Sequence, residues 1–338
     1  MLKTALALVC ALAAVACAPE PGIPSGGEAA DGGDLFTIPP GPDAGGGDAG
    51  SIDEADAGVS DAGSLDGEAD AGIGKDAGTT ASNPNPHAPQ ATVVLVHGMG
   101  GFKTLLGVDY FYGVPEAWRA AGANVVVVSM TPLQSIEDRA AQIKAQLDGL
   151  PGPFIFVAHS QGGLDARYLV SQLGYGERTK AVVTLSSPHH GTPIADIAVG
   201  IVPGPAVDVI NSLLGLMGWS LEDAEEMTTS HMDNVFNPST PDVPGVLYWS
   251  FSGKADPLAL NGDGWLQPGF DLTWSLLEGE GVVSDGLVPE ASAHWGQFRG
   301  VMTADHLEEV GQPLGFTPAF DHVAFYANLL QALHDQGL

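Results

Sequence analysis

Four short runs rich in β-branched residues, Thr92–Val96, Asn124–Ser129, Phe154–Ala158 and Ala181–Leu185, are apolar on both faces. Each is too short for a helix, and a strand that is apolar on both faces must be covered on both. Buried parallel strands have this pattern. Helical spacing fills the intervals at Ile136–Leu147 and Leu164–Leu173, so the order is β-α-β-α-β. Later candidates are strands at Val246–Phe251 and Gly300–Thr303 and an amphipathic helix from about Pro318 to His334. The expected fold class is α/β, a mostly parallel doubly wound sheet whose ligands sit beyond the C-terminal strand ends. All of these elements fall within residues 91–338, a span of 248 residues that suits one α/β domain.

The first 90 residues offer nothing to that core. Met1-Leu2-Lys3, an apolar run from Ala5 to Ala16 and then Cys17 have the charged start and short apolar stretch of a secretory signal. Ala14-Val15-Ala16-Cys17 resembles the lipobox of bacterial lipoproteins, in which the cysteine becomes the lipidated N-terminus. Ordinary cleavage after Ala16 or Ala18 is the alternative. The lipoprotein reading implies membrane anchoring through acyl groups on Cys17 rather than a transmembrane helix. The expected location is the outer membrane or cell surface, or otherwise outside the cell. Residues 18–90 then turn to Gly, Asp, Ala, Ser and Pro, with six Asp-Ala-Gly triplets and a single base, Lys75. Such a composition cannot bury enough apolar surface to offset chain entropy, so this segment is expected to be a disordered spacer.

Charge and cysteines narrow the function. Lys and Arg total 11 against 41 Asp and Glu, a formal charge of −30. Phosphate backbones are bound by clustered bases, so nucleic acid is excluded as a main partner, as is attraction to anionic head groups. Cys10 and Cys17 are the only cysteines, which leaves the domain without a disulfide or a thiolate metal site.

The chemistry concentrates at strand ends. In Phe154-Ile155-Phe156-Val157-Ala158-His159-Ser160-Gln161-Gly162-Gly163 a strand runs through small-x-Ser-x-Gly into a helix. A serine on so tight a turn projects its hydroxyl above the sheet, as in a nucleophile elbow. Val93-Val94-Leu95-Val96-His97-Gly98-Met99-Gly100-Gly101 ends another strand. Its glycines let the chain turn backbone N–H groups toward a developing oxyanion, and the expected donors are those of Met99 and Gln161. His97 is expected to be a structural hydrogen bonder. A serine at its ordinary pKa needs a histidine base held by a carboxylate. Of ten histidines, His306 follows the last strand, where the chain order Ser, acid, His places the base. Asp285, 125 residues after Ser160 and 21 before His306, is the acid; the adjoining Asp305 is expected to point elsewhere.

With these residues placed, residues 91–338 resemble the bacterial true lipases of the Pseudomonas and Burkholderia type, which have the α/β-hydrolase fold. The motifs are Val94 to Met99, His159-Ser160-Gln161-Gly162-Gly163, Arg167-Tyr168, Ser187-Pro188-His189-His190-Gly191-Thr192, Tyr248 to Gly253, Asp285-Gly286-Leu287-Val288 and His306-Leu307-Glu308-Glu309-Val310. The resemblance assigns nucleophile, acid and base to Ser160, Asp285 and His306. It also implies a structural calcium at the histidine loop, held by Glu308, the carbonyls of Gln312 and Phe316, and an upstream aspartate. Asp263 is the nearest such aspartate and Asp271 the second; an all-oxygen set suits this hard cation. A surface acidic cluster is the alternative. Members of that family often need a membrane-bound foldase, so the resemblance brings in such a partner. Their intradomain disulfide is absent here.

Val209, Ile210, Leu213, Leu214 and Met217 recur at helical spacing, followed by Trp219. Their place suggests a lid within residues 194–245, with Met217 or Trp219 touching substrate. Ser220 and Asp223 resemble the capping box of a following helix. The expected activity is hydrolysis of lipid carboxylic esters, triacylglycerols first, through an acyl-Ser160 intermediate. The alternatives are a carboxylesterase on soluble short-chain esters, a phospholipase or acyltransferase on the same triad, or a non-catalytic surface lipoprotein.

Overall fold

The computed structural model describes residues 88–338, apart from 102, 106–107, 202–206, 208–209, 211–220, 258–264 and 268–269. The signal, Cys17 and the acidic spacer therefore lie outside the described residues. So do Met217, Trp219, Ser220, Asp263 and most of the apolar stripe before Trp219.

Six strands form one sheet: β1 (Thr92–Val96), β2 (Val125–Val127), β3 (Phe154–His159), β4 (Thr179–Leu185), β5 (Leu247–Gly253) and β6 (Gln297–Met302). Their spatial order is β2-β1-β3-β4-β5-β6. Every neighbouring pair is parallel, with Val93 opposite Val125, Val94 opposite Phe156, Val157 opposite Val183, Val183 opposite Trp249 and Phe251 opposite Gly300. The expected α/β architecture is the observed one.

Alternation along the strands divides the core in two. Val93, Leu95, Ile155, Val157, Val183 and Phe251 face Trp118 of helix α1 (Val114–Ala120) and Phe325 and Leu329 of α6 (His322–Asp335). Val94, Val96, Phe156, Ala158 and Val182 face Ala140, Ile143 and Leu147 of α2 (Ile136–Leu147) and Leu169 and Val170 of α3 (Gln161–Gln172). Fully burying one such large apolar side chain contributes about 1.5–3 kcal/mol, so both layers are needed to hold the sheet. Two further helices, α4 (Pro193–Ala198) and α5 (Asp271–Gly279), pack against one another through Ile194, Ala198 and Leu277.

Two helices begin elsewhere than the apolar spacing suggests. α3 starts at Gln161, because Gln161-Gly162-Gly163 is already helical before the first apolar residue, Leu164. α6 starts only at His322, where the Asp321 carboxylate accepts the Ala324 N–H and caps the helix. The N-terminal end of the domain is fastened to the segment that follows the same helix, since the Gln90 N–H donates to the Leu338 carbonyl at 2.8 Å.

Candidate active site

β3 passes into α3 at Ser160, whose φ of 56° and ψ of −134° lie outside the regions that residues with a side chain favour. Such a conformation costs of order 1–3 kcal/mol and persists only where its surroundings enforce it. Here they do. The Ser160 N–H donates to the Leu185 carbonyl at 2.9 Å, and there is no space for bulk around the turn. A Cβ on Gly162 would lie 2.7 Å from the carbonyl oxygens of Val96 and His97, and one on Gly98 would lie 2.7 Å from the Ser160 Cβ. Ala158 is fully buried in the strand, where its methyl belongs to the core.

The loops after β5 and β6 bring Asp285 and His306 together. His306 Nδ1 is 2.7 Å from Asp285 Oδ2, and the His306 N–H donates to the Asp285 carbonyl at 3.0 Å. Asp285 Oδ1 also accepts the N–H groups of Leu287 and Val288 at 2.8 and 2.7 Å. Burial pushes the Asp285 carboxyl upward, but the His306 charge and these hydrogen bonds outweigh it and hold the group below the ordinary aspartate range. Asp285 is fully buried, and His306 is nearly so. The His306 ring lies 4.5 Å, centroid to centroid, from that of His159, the residue before Ser160. Serine, acid and histidine thus occupy the C-terminal ends or following loops of β3, β5 and β6. Asp305 turns away, as expected, and its carboxylate accepts the N–H groups of Leu307, Glu308 and Gln267.

His97 at the end of β1 is buried and accepts the Met130 N–H on Nε2 at 3.1 Å, with Nδ1 2.9 Å from the Gly98 carbonyl. Burial, aided by the Arg139 charge, lowers its pKa to about 3. It is therefore a neutral structural group, not a base. Beside it, the Met99 side chain packs against the apolar cluster that contains Ile136, Leu164 and Phe236. Among the described residues no acceptor takes the N–H of Met99 or of Gln161.

Several polar residues around the site escaped the sequence reading. Glu309 is fully buried, accepts the Ser186 hydroxyl at 2.6 Å and approaches His159 Nε2 at 3.4 Å. Burial and the neighbouring Asp285 charge push its carboxyl well above the usual range. The Tyr110 hydroxyl is 2.7 Å from His159 Nδ1. Arg139 and Asp165 form an ion pair at 2.8 Å with neither side chain exposed. The available signal was the second acid directly after Glu308, three residues beyond His306. In contrast, His189 is a buried structural group and His190 is exposed. Arg167 stacks on Trp295 at 3.5 Å and contacts His189 Nδ1 at 3.1 Å, and His190 pairs with Asp233.

Among the described residues, the loop after His306 carries Glu308, Gln312 and Phe316. Glu308 is fully buried, with Oε2 accepting the Asp305 N–H at 3.1 Å and Oε1 the Ala319 N–H at 3.2 Å. Burial, together with the Asp305 charge, raises it to about 7. The Gln312–Pro313 bond is cis. Gln312 donates through Nε2 to the carbonyls of Asp109 and Tyr110, while Phe316 is about half exposed. Asp271, the second upstream aspartate, is exposed in the first turn of α5.

Residues 92–215 match the family model described as palmitoyl protein thioesterase. A triacylglycerol lipase of Vibrio cholerae serotype O1 is 29% identical over 286 residues, covering 73% of this chain and 88% of the relative. A triacylglycerol lipase of Pseudomonas fragi is 27% identical over 285 residues, covering 73% and 97%. The crystal structure of a Bacillus licheniformis lipase in mature form superposes with a TM-score of 0.56 at 21% identity, over 75% of this chain and 96% of that one. With this parallel sheet, a strained serine at the β3–α3 turn and an acid–histidine pair on the loops after β5 and β6, the chain has the α/β-hydrolase fold.

Proposed function

We propose that the protein hydrolyses carboxylic esters of lipids, triacylglycerols first, through an acyl-enzyme on Ser160. One observation carries the reading: the buried 2.7 Å contact between His306 Nδ1 and Asp285 Oδ2, on loops that end at the same sheet edge as Ser160. Asp285 fixes the imidazole with its proton on Nδ1, leaving Nε2 free to accept the serine proton. The serine oxygen bonds to the ester carbon, and the carbonyl oxygen takes the charge between the N–H groups of Met99 and Gln161. Collapse breaks the ester C–O bond, and the alcohol leaves with the proton from His306. Water, deprotonated in turn by His306, releases the fatty acid and restores the serine. The similarity to triacylglycerol lipases over most of the domain supports the lipid substrate.

The match to a thioesterase family over residues 92–215 favours a second reading, hydrolysis of long-chain acyl thioesters through the same intermediate. Rates on dissolved butyrate esters, emulsified palmitate esters and a palmitoyl thioester separate the readings. The expected result is preference for palmitate ester at an interface, with loss of activity in Ser160→Ala. Activity confined to dissolved butyrate would replace lipase with carboxylesterase. No activity in either protein leaves only the binding-module reading.

The part of residues 194–245 around Met217 and Trp219 is proposed as a lid over the acyl groove. Calcium is proposed at the His306 loop. Glu308 fits such a site, because a carboxyl raised by burial and then by its neighbour Asp305 would be relieved by a cation, and the remaining donors would be the carbonyls of Gln312 and Phe316 with Asp263. The ion would steady the loop and take no part in the chemistry. Lipidation at Cys17, an outer-membrane or cell-surface location and help from a foldase complete the reading. Acyl-donor labelling that persists in Cys17→Ala would remove the anchor.

A further inference from the structure

Arg139 has no exposed surface, yet it comes from a helix that otherwise presents charge to solvent. All three guanidinium nitrogens are engaged. Nε donates to Asp165 Oδ2 at 2.8 Å. Nη2 donates to the carbonyls of His97 at 2.8 Å and Gly98 at 3.2 Å, and Nη1 to those of Thr131 at 3.2 Å and Pro132 at 3.4 Å. Burying an ion pair so completely gains little stability over an apolar pair, so its retention asks for another explanation.

The two ends of this network touch the two halves of the oxyanion hole. The Gly98 carbonyl and the Met99 N–H belong to one peptide unit. In a trans peptide these groups point in opposite directions, so a carbonyl drawn onto Arg139 turns the N–H away from it. Asp165 lies four residues after Gln161, on the same face of α3 and one turn from its start. A guanidinium is planar and rigid, so carbonyls and carboxylate are held at fixed separations that a flexible ammonium would not impose. We propose that Arg139, braced by Asp165, is a positioning residue that orients the Met99 N–H and locks the oxyanion loop to the nucleophile helix. Arg139 touches neither substrate nor reacting atoms; it acts through the backbone of residues 97–99.

This proposal rests on the reading of Ser160 as nucleophile and of Met99 and Gln161 as donors. The informative variant is Arg139→Lys, which keeps the charge opposite Asp165 but cannot reach both the carboxylate and the two carbonyls. In the full-length protein, kcat on a palmitate ester is expected to fall at least tenfold with KM within about threefold, since one oxyanion donor is worth roughly 10²–10³ in kcat. Affinity for a trifluoromethyl ketone, which forms a tetrahedral adduct on the serine, should fall in parallel with kcat/KM. Affinity for a non-hydrolysable ether analogue of the substrate should not. A folded Arg139→Lys with wild-type kcat, or equal loss of ketone and ether affinity, overturns the proposal. If Arg139→Lys fails to fold, the same pair of inhibitors on Asp165→Asn decides it: selective loss of ketone affinity supports the brace, and unchanged ketone affinity overturns it. Labelling of wild type by a phosphonate that reacts with active serines is the separate control. Absence of label at Ser160 defeats the hydrolase reading itself, whereas label with an indifferent Arg139 defeats only this inference.

Discussion

A buried histidine that cannot take a proton leaves a mark on stability, and His97 is placed to show it. Its pKa of about 3 in the folded protein is below the ordinary 6.5 because burial, and then Arg139, penalise the charged ring. Between those two values the unfolded chain binds a proton that the folded chain does not, so stability contributed by this group is full above pH 6.5 and declines as pH falls. Other buried groups titrate in the same range, some with the opposite sign, so wild type alone will not isolate the effect. The comparison with His97→Gln will. The stability advantage of wild type over that variant should shrink by about 1.4 kcal/mol per pH unit below 6.5, or roughly 2 kcal/mol between pH 6.5 and 5, measured by urea unfolding. A pH-independent difference would mean that His97 titrates normally. Residues whose chemistry is announced by neighbours, such as Ser160 between His159 and Gln161, were legible in sequence. Arg139 and Asp165 were not, because a charge on an amphipathic helix ordinarily faces solvent, and only the path of residues 97–99 explains why these do not.

At the scale of elements, strands apolar on both faces were legible nearly to the residue, as β1 shows. The edge strand β6 was not, because Gln297 and Arg299 at its start face partly outward and break the apolar run. The histidine loop illustrates a different limit. Leu307 and Val310 anchor it to the core, and side chains accepting backbone N–H groups, Asp305 and Glu308, fix its turns. Hydrogen bonds of this kind have no sequence period. If calcium completes the loop, binding to the folded state alone should raise the melting temperature by mass action, about 2.7 kcal/mol at a hundredfold excess over Kd. Adding a chelator should lower the melting temperature of wild type and leave Glu308→Gln unchanged; equal melting temperatures with and without calcium in wild type would remove the ion from the account.

Across the whole chain, charge acts against one class of surface and not another. Residues 91–338 hold 27 acids and nine bases, a net −18, and residues 18–90 add 14 acids against one base. Both segments therefore repel an anionic interface, while apolar contacts such as the exposed Ile201 and Leu221, within the span of the proposed lid, are indifferent to its charge. The two contributions separate by salt, because the repulsion is screened over about 10 Å at 0.1 M and the apolar term is not. Hydrolysis of a neutral triacylglycerol dispersed in zwitterionic vesicles should thus vary little between 10 and 300 mM salt. In vesicles doped with anionic lipid it should be slower at low salt and recover as salt rises. Accumulating fatty acid makes a neutral droplet anionic, so the same repulsion should slow late turnover at low salt, and an acceptor that removes the acid should restore the initial rate. Faster hydrolysis on anionic vesicles at low salt would require a basic docking patch gathered from only nine bases among 248 residues.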